Sequence, residues 1–285
     1  MRRRDVVPAV LGMAVAWQAR ADRGAAALGG CALLSNVRNG RMLVVEGSET
    51  ARRWVAEPGS TIKPLSLLAL LETDKLRGAE EYYCARRLVL EGHALDCSHP
   101  DIGQPMDVSR AIAYSCNCAV AHFAQRFETG ELGRCLVRGG LCSTTRLVGG
   151  WEATGHVDLA AAGPACQLQA LGESGVSVTP LELLVAYRRL ALRAGEARIE
   201  PIIEGLEGAV EFGTAQEAGV DRVRVAGKTG SAMTRAGAHA AWFAGFAPSR
   251  APEVAVVVLV QGRSGGADAA PIAGRLLGGY FAGRA

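Results

Sequence analysis

The chain has 285 residues, of which 49% are hydrophobic and 21% are charged, so it is long enough for one large domain with its own core. Its formal net charge is +3 at pH 7, and the four arginines and one aspartate within residues 1–21 account for all of it (4 − 1 = 3). A neutral remainder without a basic segment argues against a nucleic acid as partner.

The first 21 residues have the features of an export signal. Three arginines at 2–4 precede an apolar run at 6–17, and Ala19-Arg20-Ala21 fits a cleavage site with small residues. Arg3-Arg4-Asp5-Val6-Val7 also resembles a twin-arginine signal. The apolar run is shorter than the roughly 20 residues that a membrane-spanning helix needs. We therefore expect residues 1–21 to be a signal peptide, with an uncleaved amphipathic tail as the alternative.

Two alternating segments follow the signal. Residues 31–37 and 41–46 alternate around Asn39-Gly40, a dipeptide that is typical of a tight hairpin turn. They predict the first two strands of a sheet. From residue 73 to about 170, helical patterns predominate and are broken by glycine, proline and polar turns.

The first chemically informative motif is Ser60-Thr61-Ile62-Lys63. Residues three apart on a helix share a face, so the serine and the lysine can meet. A lysine can take the serine proton only if burial or another cation lowers its pKa, and the leucine-rich run after it predicts such burial. The dipeptide Pro58-Gly59 is typical of turns and predicts that a helix starts at Ser60. Free backbone N–H groups at a helix start can stabilise an oxyanion. An ordinary amphipathic core helix is the alternative.

The second motif, Ser115-Cys116-Asn117, interrupts a helical stretch at 107–127. Asn117 could hydrogen-bond a substrate amide, and Ser115 could relay protons between Lys63 and a leaving group. A polar seam between two helices is the alternative for this motif taken alone.

The last third of the chain alternates between helix and strand patterns. Thr179-Pro180-Leu181-Glu182 is a capping box that opens a helix to about residue 193. Residues 222–230, 240–247 and 253–261 predict three strands, and a helix follows near 269–281. The first of these strands ends in the third motif, Lys228-Thr229-Gly230. Its lysine and hydroxyl suit a substrate carboxylate, and its glycine permits a close backbone approach. A strand that merely ends at a turn is the alternative.

The order and spacing of the three motifs matter more than any one of them. Ser115 lies 55 residues after Ser60 (115 − 60), and Lys228 lies 113 residues after Ser115 (228 − 115). Short polar triplets recur by chance, but this combination rarely does. Together the motifs indicate an acyl-transfer site with a serine nucleophile and a lysine base.

The sequence around these motifs resembles the transpeptidase domain of penicillin-binding proteins. The resemblance covers the chain from about Gly30 to near its C-terminus. Its most similar stretches are residues 57–64, 111–117, 171–182 and 241–248. It implies an α/β (α+β) fold, an antiparallel sheet flanked by helices with an inserted, mostly helical lobe. We expect one domain at 30–285, with a sheet lobe at about 30–72 and 175–285, a helical lobe at about 73–174, and the active site between them.

The resemblance also implies a role for each matching residue. Ser60 corresponds to the acylated nucleophile, Lys63 to its base, and Ser115 and Asn117 to the second wall of the cleft. Lys228, Thr229 and Gly230 correspond to the strand that holds the carboxylate of a D-Ala-D-Ala peptide or a β-lactam. The backbone amides of Ser60 and Ser231 would form the oxyanion hole. No metal and no organic cofactor is implied.

Three functions share the acylation step: a cell-wall D,D-peptidase, a serine β-lactamase and a β-lactam sensor. The commonest serine β-lactamases place hydrolytic water with a glutamate and an asparagine after the second motif. The only asparagines here are Asn36, Asn39 and Asn117, so that residue is missing. A sensor normally has a transmembrane segment, which the sequence does not show. We therefore expect an exported D,D-transpeptidase or carboxypeptidase, in the periplasm or on the outer face of the cytoplasmic membrane, that acts on peptidoglycan stem peptides, alone or with other cell-wall synthesis proteins.

Eight cysteines fit an exported protein better than a cytosolic one. Cys84 and Cys97 flank a small predicted hairpin at 86–94 and are the best disulfide candidates, ahead of Cys135 with Cys142. Cys116 and Cys118 face different ways on a helix and are not expected to pair. Two histidines, at 93 and 99, lie near the first pair, but the spacing matches no standard zinc pattern, so no metal site is predicted.

Overall fold

The computed structural model describes residues 24–233 and 237–283. The predicted signal segment, residues 1–21, lies outside the described residues and stays a prediction. Within the two described ranges, no helix combines the length and the apolar character that crossing a membrane requires.

The described residues form one central sheet and two short ladders. The strands are β1 (Cys31–Asn36), β2 (Met42–Glu46), β3 (Val89–Leu90), β4 (His93–Ala94), β5 (His156–Val157), β6 (Val176–Ser177), β7 (Ala226–Met233), β8 (His239–Ala247) and β9 (Val254–Gln261). The central sheet is antiparallel with the order β2-β1-β9-β8-β7, while β3 pairs with β4 and β5 with β6. The two ends of the chain therefore meet inside one sheet, because β1 pairs directly with β9.

The N-terminal hairpin predicted around Asn39-Gly40 is confirmed. β1 and β2 run antiparallel, with Ala32 opposite Glu46. Gly40 has φ +71°, and its N–H donates to the carbonyl of Asn36 over 2.9 Å. A glycine tolerates this left-handed conformation without a steric penalty.

The predicted strand at 222–230 is shifted in the structure, where β7 begins at Ala226 and continues to Met233. Arg222 has φ +60°, and an isolated bridge joins Val220 to Val223, so the segment before 226 is a turn. Beyond the third motif the strand stays paired with β8, with Ser231 opposite Ala241. The third motif therefore lies inside a strand and not at its end.

The helices described for this chain surround the sheet. They are α1 (Ser48–Arg53), α2 (Lys63–Glu72), α3 (Val108–Ala113), α4 (Asn117–Ala124), α5 (Glu131–Gly139), α6 (Gly163–Leu171), α7 (Pro180–Ala191), α8 (Glu200–Glu211) and α9 (Ala270–Ala282). The capping box of α7 is confirmed, since Glu182 N–H donates to Thr179 Oγ1 and Thr179 N–H donates to Glu182 Oε2. The helices α1 and α8 were not predicted from the sequence.

The two faces of the sheet belong to two separate hydrophobic cores. Alternate residues of β8 divide between them: Trp242 and Phe246 belong to the core that also contains residues of α2, α6 and α7, while Phe243 belongs to the core that contains residues of α9. Because both faces are buried, β9 reads as a nearly continuous apolar run, Val254 to Val260, instead of an alternating one. The expected α/β (α+β) architecture, an antiparallel sheet flanked by helices with a mostly helical insertion, is confirmed.

Candidate active site

The turn that carries Ser60 is held in place by buried aromatic residues. Ser60 lies in a single 3-10 turn, Gly59–Ile62, which leads directly into α2. Tyr187 Oη donates to the carbonyl of Thr61 over 2.8 Å, and Trp242 Nε1 donates to the carbonyl of Glu57 over 3.0 Å. Both hydrogen bonds come from elements more than 100 residues away in the chain, so the tertiary structure fixes the position of the serine.

Lys63 is fully buried, and its ammonium group points at the second motif. Its Nζ donates to the backbone carbonyl of Ser115 over 2.9 Å, to Ser115 Oγ over 3.2 Å, and to Oδ1 of Asn117. An ammonium has three N–H donors, and these acceptors occupy all of them. Burial lowers the pKa of Lys63 to about 8, against the attraction of Glu173 and the nearby thiols. A neutral, base-competent lysine is therefore accessible close to physiological pH.

Ser60 and Lys63 do not form the hydrogen bond that their spacing predicts. Among the described residues, the hydrogen bonds of Lys63 Nζ go only to Ser115 and Asn117. Two features explain the difference: Ser60 lies in a 3-10 turn while α2 starts at Lys63, and the charged amine is saturated by other acceptors. Loss of one proton would leave two N–H donors and free the lone pair that a general base needs.

The second motif is a helix break with an unusual backbone. α3 ends after Ala113, Ser115 has φ +56°, and Cys116 caps the start of α4. A left-handed conformation costs a non-glycine residue roughly 1–3 kcal/mol and persists only where the surroundings impose it. Here Lys63 holds the Ser115 carbonyl, and the Ser115 N–H donates to the carbonyl of Ile112 over 3.1 Å. The break directs Ser115 and Asn117 to the same amine.

The third motif lies on β7 beside the turn of Ser60. The side chains of Lys228 and Thr229 are buried, and both reach Thr214. Lys228 Nζ donates to Thr214 Oγ1 over 3.3 Å, and Thr229 Oγ1 pairs with Thr214 Oγ1 over 2.8 Å. Burial, followed by repulsion from the positive charge of Lys63, lowers the pKa of Lys228 well below its ordinary value. A bound carboxylate would reverse that effect, because an opposite charge favours the ammonium form.

Glycines let β7 approach the nucleophile turn. A Cβ on Gly230 would lie 2.5 Å from the Pro58 carbonyl oxygen and 3.1 Å from the Thr61 nitrogen. A Cβ on Gly59, which has φ +51°, would lie 3.0 Å from the Ser231 nitrogen. The close backbone approach expected at Gly230 is made to the turn that carries Ser60. The backbone at Ser231 thereby lies beside that turn, as an oxyanion hole formed with Ser60 requires.

Comparison with known proteins assigns the family. The family model described as "Penicillin binding protein transpeptidase domain" matches residues 30–278. The chain belongs to this transpeptidase family. Stage V sporulation protein D of Bacillus subtilis (strain 168) is 27% identical over 267 residues, and the match covers 78% of this chain and 41% of that protein. The transpeptidase chain thus spans about two fifths of the length of this curated relative.

Solved transpeptidase structures share the fold. The apo structure of the TP domain from Burkholderia pseudomallei penicillin-binding protein 3 has a TM-score of 0.83 at 20% identity, over 97% of this chain and 94% of that chain. Pseudomonas aeruginosa PBP2, solved in complex with WCK 5153, has a TM-score of 0.80 at 18% identity and coverages of 94% and 74%. A peptidoglycan glycosyltransferase from Burkholderia ambifaria has a TM-score of 0.83 at 22% identity, over 97% of this chain and 96% of that chain. At these identities the likeness shows the fold alone.

Two residues of the candidate site were not predicted from the sequence. Thr214 supports the third motif from a loop after α8, where no periodicity or motif marks it. Glu173 lies close enough to Lys63 for their charges to interact, and desolvation raises the pKa of its carboxyl group. Glu173 stands in one of the stretches that resemble the family, residues 171–182, and that stretch was the available signal.

The predicted Cys84–Cys97 disulfide is not formed in the structure. Both cysteines are free, with their Sγ atoms 3.6 Å apart, whereas a disulfide needs about 2.05 Å. The physical reason is that Cys97 has further sulfur neighbours, Cys116 at 3.7 Å and Cys118 at 3.5 Å. The weaker candidate, Cys135 with Cys142, is also unbonded. The hairpin itself is confirmed as β3 and β4.

Proposed function

We propose that this transpeptidase domain is a peptidoglycan D,D-transpeptidase or carboxypeptidase that acts through an acyl-enzyme on Ser60. The observation that carries the proposal is the buried Lys63, whose amine joins the first motif to Ser115 and Asn117 of the second. A cation without a carboxylate among its hydrogen-bond partners is expensive to bury. Its depressed pKa suits a group that must exchange a proton during each reaction.

The acylation step follows from these positions. Neutral Lys63 accepts the Ser60 proton while Ser60 Oγ forms a bond to the carbonyl carbon of the penultimate D-Ala. The carbonyl oxygen becomes an oxyanion that the Ser60 and Ser231 N–H groups can stabilise. Ser115 Oγ, 3.2 Å from Lys63 Nζ, passes the proton to the leaving nitrogen, so that the terminal D-Ala departs as a neutral amine. An acceptor amine or water then attacks the ester and returns the proton to the serine.

The pair Lys228 and Thr229 is the proposed binding site for the carboxylate of the terminal D-Ala. Within residues 24–233 and 237–283, the hydrogen-bond partners of the buried Lys228 amine are a hydroxyl and a carbonyl, Thr214 Oγ1 and the Thr229 carbonyl oxygen at 3.2 Å. A substrate carboxylate would supply the missing negative charge. β-Lactams carry a carboxylate in the corresponding place and would bind in the same way.

A serine β-lactamase is the second candidate, and the positions of the asparagines argue against it. Asn36 ends β1 and Asn39 lies in the following turn, while Asn117 is committed to Lys63 and to the Leu95 carbonyl at 3.0 Å. No asparagine is left to hold hydrolytic water near the ester. The proposal includes export, as residues 1–21 predict, and contact with other cell-wall synthesis proteins.

Slow deacylation is the expected behaviour with a β-lactam. Nitrocefin should give a burst of about one equivalent per chain and then very slow turnover, because no glutamate–asparagine pair is available to prime water for attack on the ester. The burst is measured by absorbance, and the adduct by intact mass with a fluorescent penicillin as a parallel label. Sustained turnover at about 10 s⁻¹, ordinary for an enzyme on its own substrate, would identify a β-lactamase instead.

The acylation rate is expected to rise with pH through about 8. Burial favours the uncharged amine of Lys63, so the fraction able to accept the Ser60 proton grows as pH increases past that value and then levels off. With an ordinary lysine pKa of 10.5, the fraction of neutral amine, and with it the acylation rate, would keep rising up to a higher pH. Penicillin acylation should be timed by quenched-flow mass analysis, with spontaneous penicillin hydrolysis subtracted at each pH. A rate that is flat through this range would exclude Lys63 as the base.

A further inference from the structure

Four side chains from three separate segments converge beside the second motif. The Sγ atoms of Cys84, Cys97 and Cys116 and a ring nitrogen of His99 all lie within 4.8 Å of one another. Cys97, His99 and Cys116 are buried, and Cys84 is half-buried. No metal was predicted here from the sequence, because the spacing of Cys84, Cys97, His93 and His99 matches no standard zinc pattern.

Three of the six distances between the four donor atoms are close to those of a tetrahedral zinc site. With zinc–sulfur bonds of about 2.3 Å and zinc–nitrogen bonds of about 2.0–2.1 Å, tetrahedral angles place two sulfurs about 3.8 Å apart and a sulfur and a nitrogen about 3.6 Å apart. The structure has 3.6 Å between the sulfurs of Cys84 and Cys97 and 3.7 Å between those of Cys97 and Cys116. Cys84 Sγ lies 3.6 Å from Nε2 of His99.

Each of the four donor groups has a hydrogen-bond partner outside the set. The Nδ1 atom of His99 lies 2.8 Å from the carbonyl oxygen of Pro100, which can only accept, so Nδ1 carries the proton and the lone pair is on Nε2. Each of the three sulfurs receives a backbone N–H. Arg86 donates to Cys84 over 3.3 Å, and Cys118 and Ala119 donate to Cys97 and Cys116, each over 3.4 Å. Such outer hydrogen bonds are typical of thiolate and imidazole ligands to metals.

A disulfide is the competing explanation for these cysteines, and the geometry disfavours it. Cys97 is nearly equidistant from three sulfurs, at 3.5, 3.6 and 3.7 Å, so no pair is singled out. A Cys84–Cys97 bond would also leave His99 aimed at the pair without a role. Cys118 contacts Cys97 and the carbonyl of Arg87, and lies outside the compact set of four.

We propose that Cys84, Cys97, His99 and Cys116 bind one structural Zn²⁺ ion. Three thiolates and one neutral imidazole are a standard closed donor set for this ion, and thiolates with imidazole select it over harder cations. Binding displaces a proton from each thiol that is not already ionised, so assembly is coupled to pH.

The site would position the second motif of the transpeptidase. Cys116 stands between Ser115 and Asn117, and the other three ligands come from the β3–β4 hairpin region. The same hairpin accepts a hydrogen bond from Asn117 Nδ2 at the carbonyl of Leu95, over 3.0 Å. A zinc ion would fasten this region to the helix break and hold Ser115 and Asn117 against Lys63. Only this consequence rests on the proposed function, since metal content and stability can be measured without it.

The direct test is the metal content of the purified chain. After growth with zinc and removal of free metal, elemental mass spectrometry should find about one zinc per chain. Alkylation during unfolding without reductant should modify Cys84, Cys97 and Cys116. Less than about 0.1 zinc per chain after zinc is supplied under reducing conditions, or a disulfide joining any two of these cysteines, would overturn the proposal.

Variants separate the ligands from their neighbours. Cys84→Ser and His99→Ala should each lower the zinc content at least about 10-fold. Changes to the outer hydrogen-bond partners of ligands already weaken metal affinity by about 10–100-fold, and loss of a ligand itself should weaken the affinity more. Two control variants, Cys118→Ser and Cys166→Ser, should keep their zinc. Cys118 contacts Cys97 but is not one of the four ligands, and Cys166 is a buried cysteine in α6. Loss of zinc in Cys118→Ser with retention in His99→Ala would overturn the assigned ligands. Thiolate-to-cobalt absorption after Co²⁺ substitution reports the same ligands spectroscopically.

A chelator experiment tests the positioning role. Stripping the unaltered chain with a chelator should lower its melting temperature and slow penicillin acylation, and Zn²⁺ should restore both. Unchanged acylation in a stripped, folded chain would overturn the positioning role. A chain that binds zinc but is never acylated by penicillin would instead count against the proposed function and leave the zinc site intact.

Discussion

Ser60→Ala is expected to abolish acylation by penicillin. Ser60 lies in the turn beside Ser231. Alanine at this position lacks the hydroxyl oxygen that would form the ester. Intact-mass analysis after incubation with penicillin should show one adduct on the unaltered chain and none on the variant. Because Ser60 Oγ has no hydrogen bond to a protein group among the described residues, the melting temperature should change little.

Ser66→Ala is the matched control for that experiment. Ser66 is a buried serine in α2, six residues after Ser60 (66 − 60), where its hydroxyl donates to the carbonyl of Ala170 over 3.1 Å. Its loss should reduce stability by about 1 kcal/mol and leave the adduct in place. An adduct that persists in Ser60→Ala would show that another nucleophile reacts.

Lys63→Arg should slow acylation by roughly 10²–10⁴-fold, the usual contribution of a general base. Arginine keeps the positive charge but does not deprotonate in a protein, so it cannot accept the serine proton. The rate that remains should also lose its rise near pH 8, where Lys63 titrates. Stopped reactions followed by intact mass give the rate constant.

Two further variants make the Lys63 result interpretable. Lys75→Arg is the same change at a surface lysine paired with Glu128 and Glu131, and it should acylate at the unaltered rate. Lys63→Met removes the amine from the buried site without adding the volume of a guanidinium group. If Lys63→Met is folded by circular dichroism and still acylates at near the unaltered rate, another group takes the proton.

The parts of this fold that were predicted correctly depend on short-range signals. Asn39-Gly40 determines a hairpin within two residues, and the Thr179 to Glu182 box closes its hydrogen bonds within one turn of helix. The predicted start of β7 was wrong because alternating valines before Ala226 carry a strand pattern while Arg222 adopts a turn conformation. Periodicity reports side-chain character, and the backbone dihedral at one residue can override it.

The sequence by itself determined which residues carry the proposed chemistry: a serine and a lysine three positions apart, a Ser-Cys-Asn break and a Lys-Thr-Gly strand, in a fixed order. The tertiary structure decided which atoms of these residues meet. It placed the Lys63 amine on Ser115 and Asn117, packed Gly230 against Pro58, and brought the donor atoms of Cys84, Cys97, His99 and Cys116 within 4.8 Å of one another. The physical reason is that these contacts join segments separated by up to about 170 residues (230 − 58), and only burial of the two cores brings such segments together.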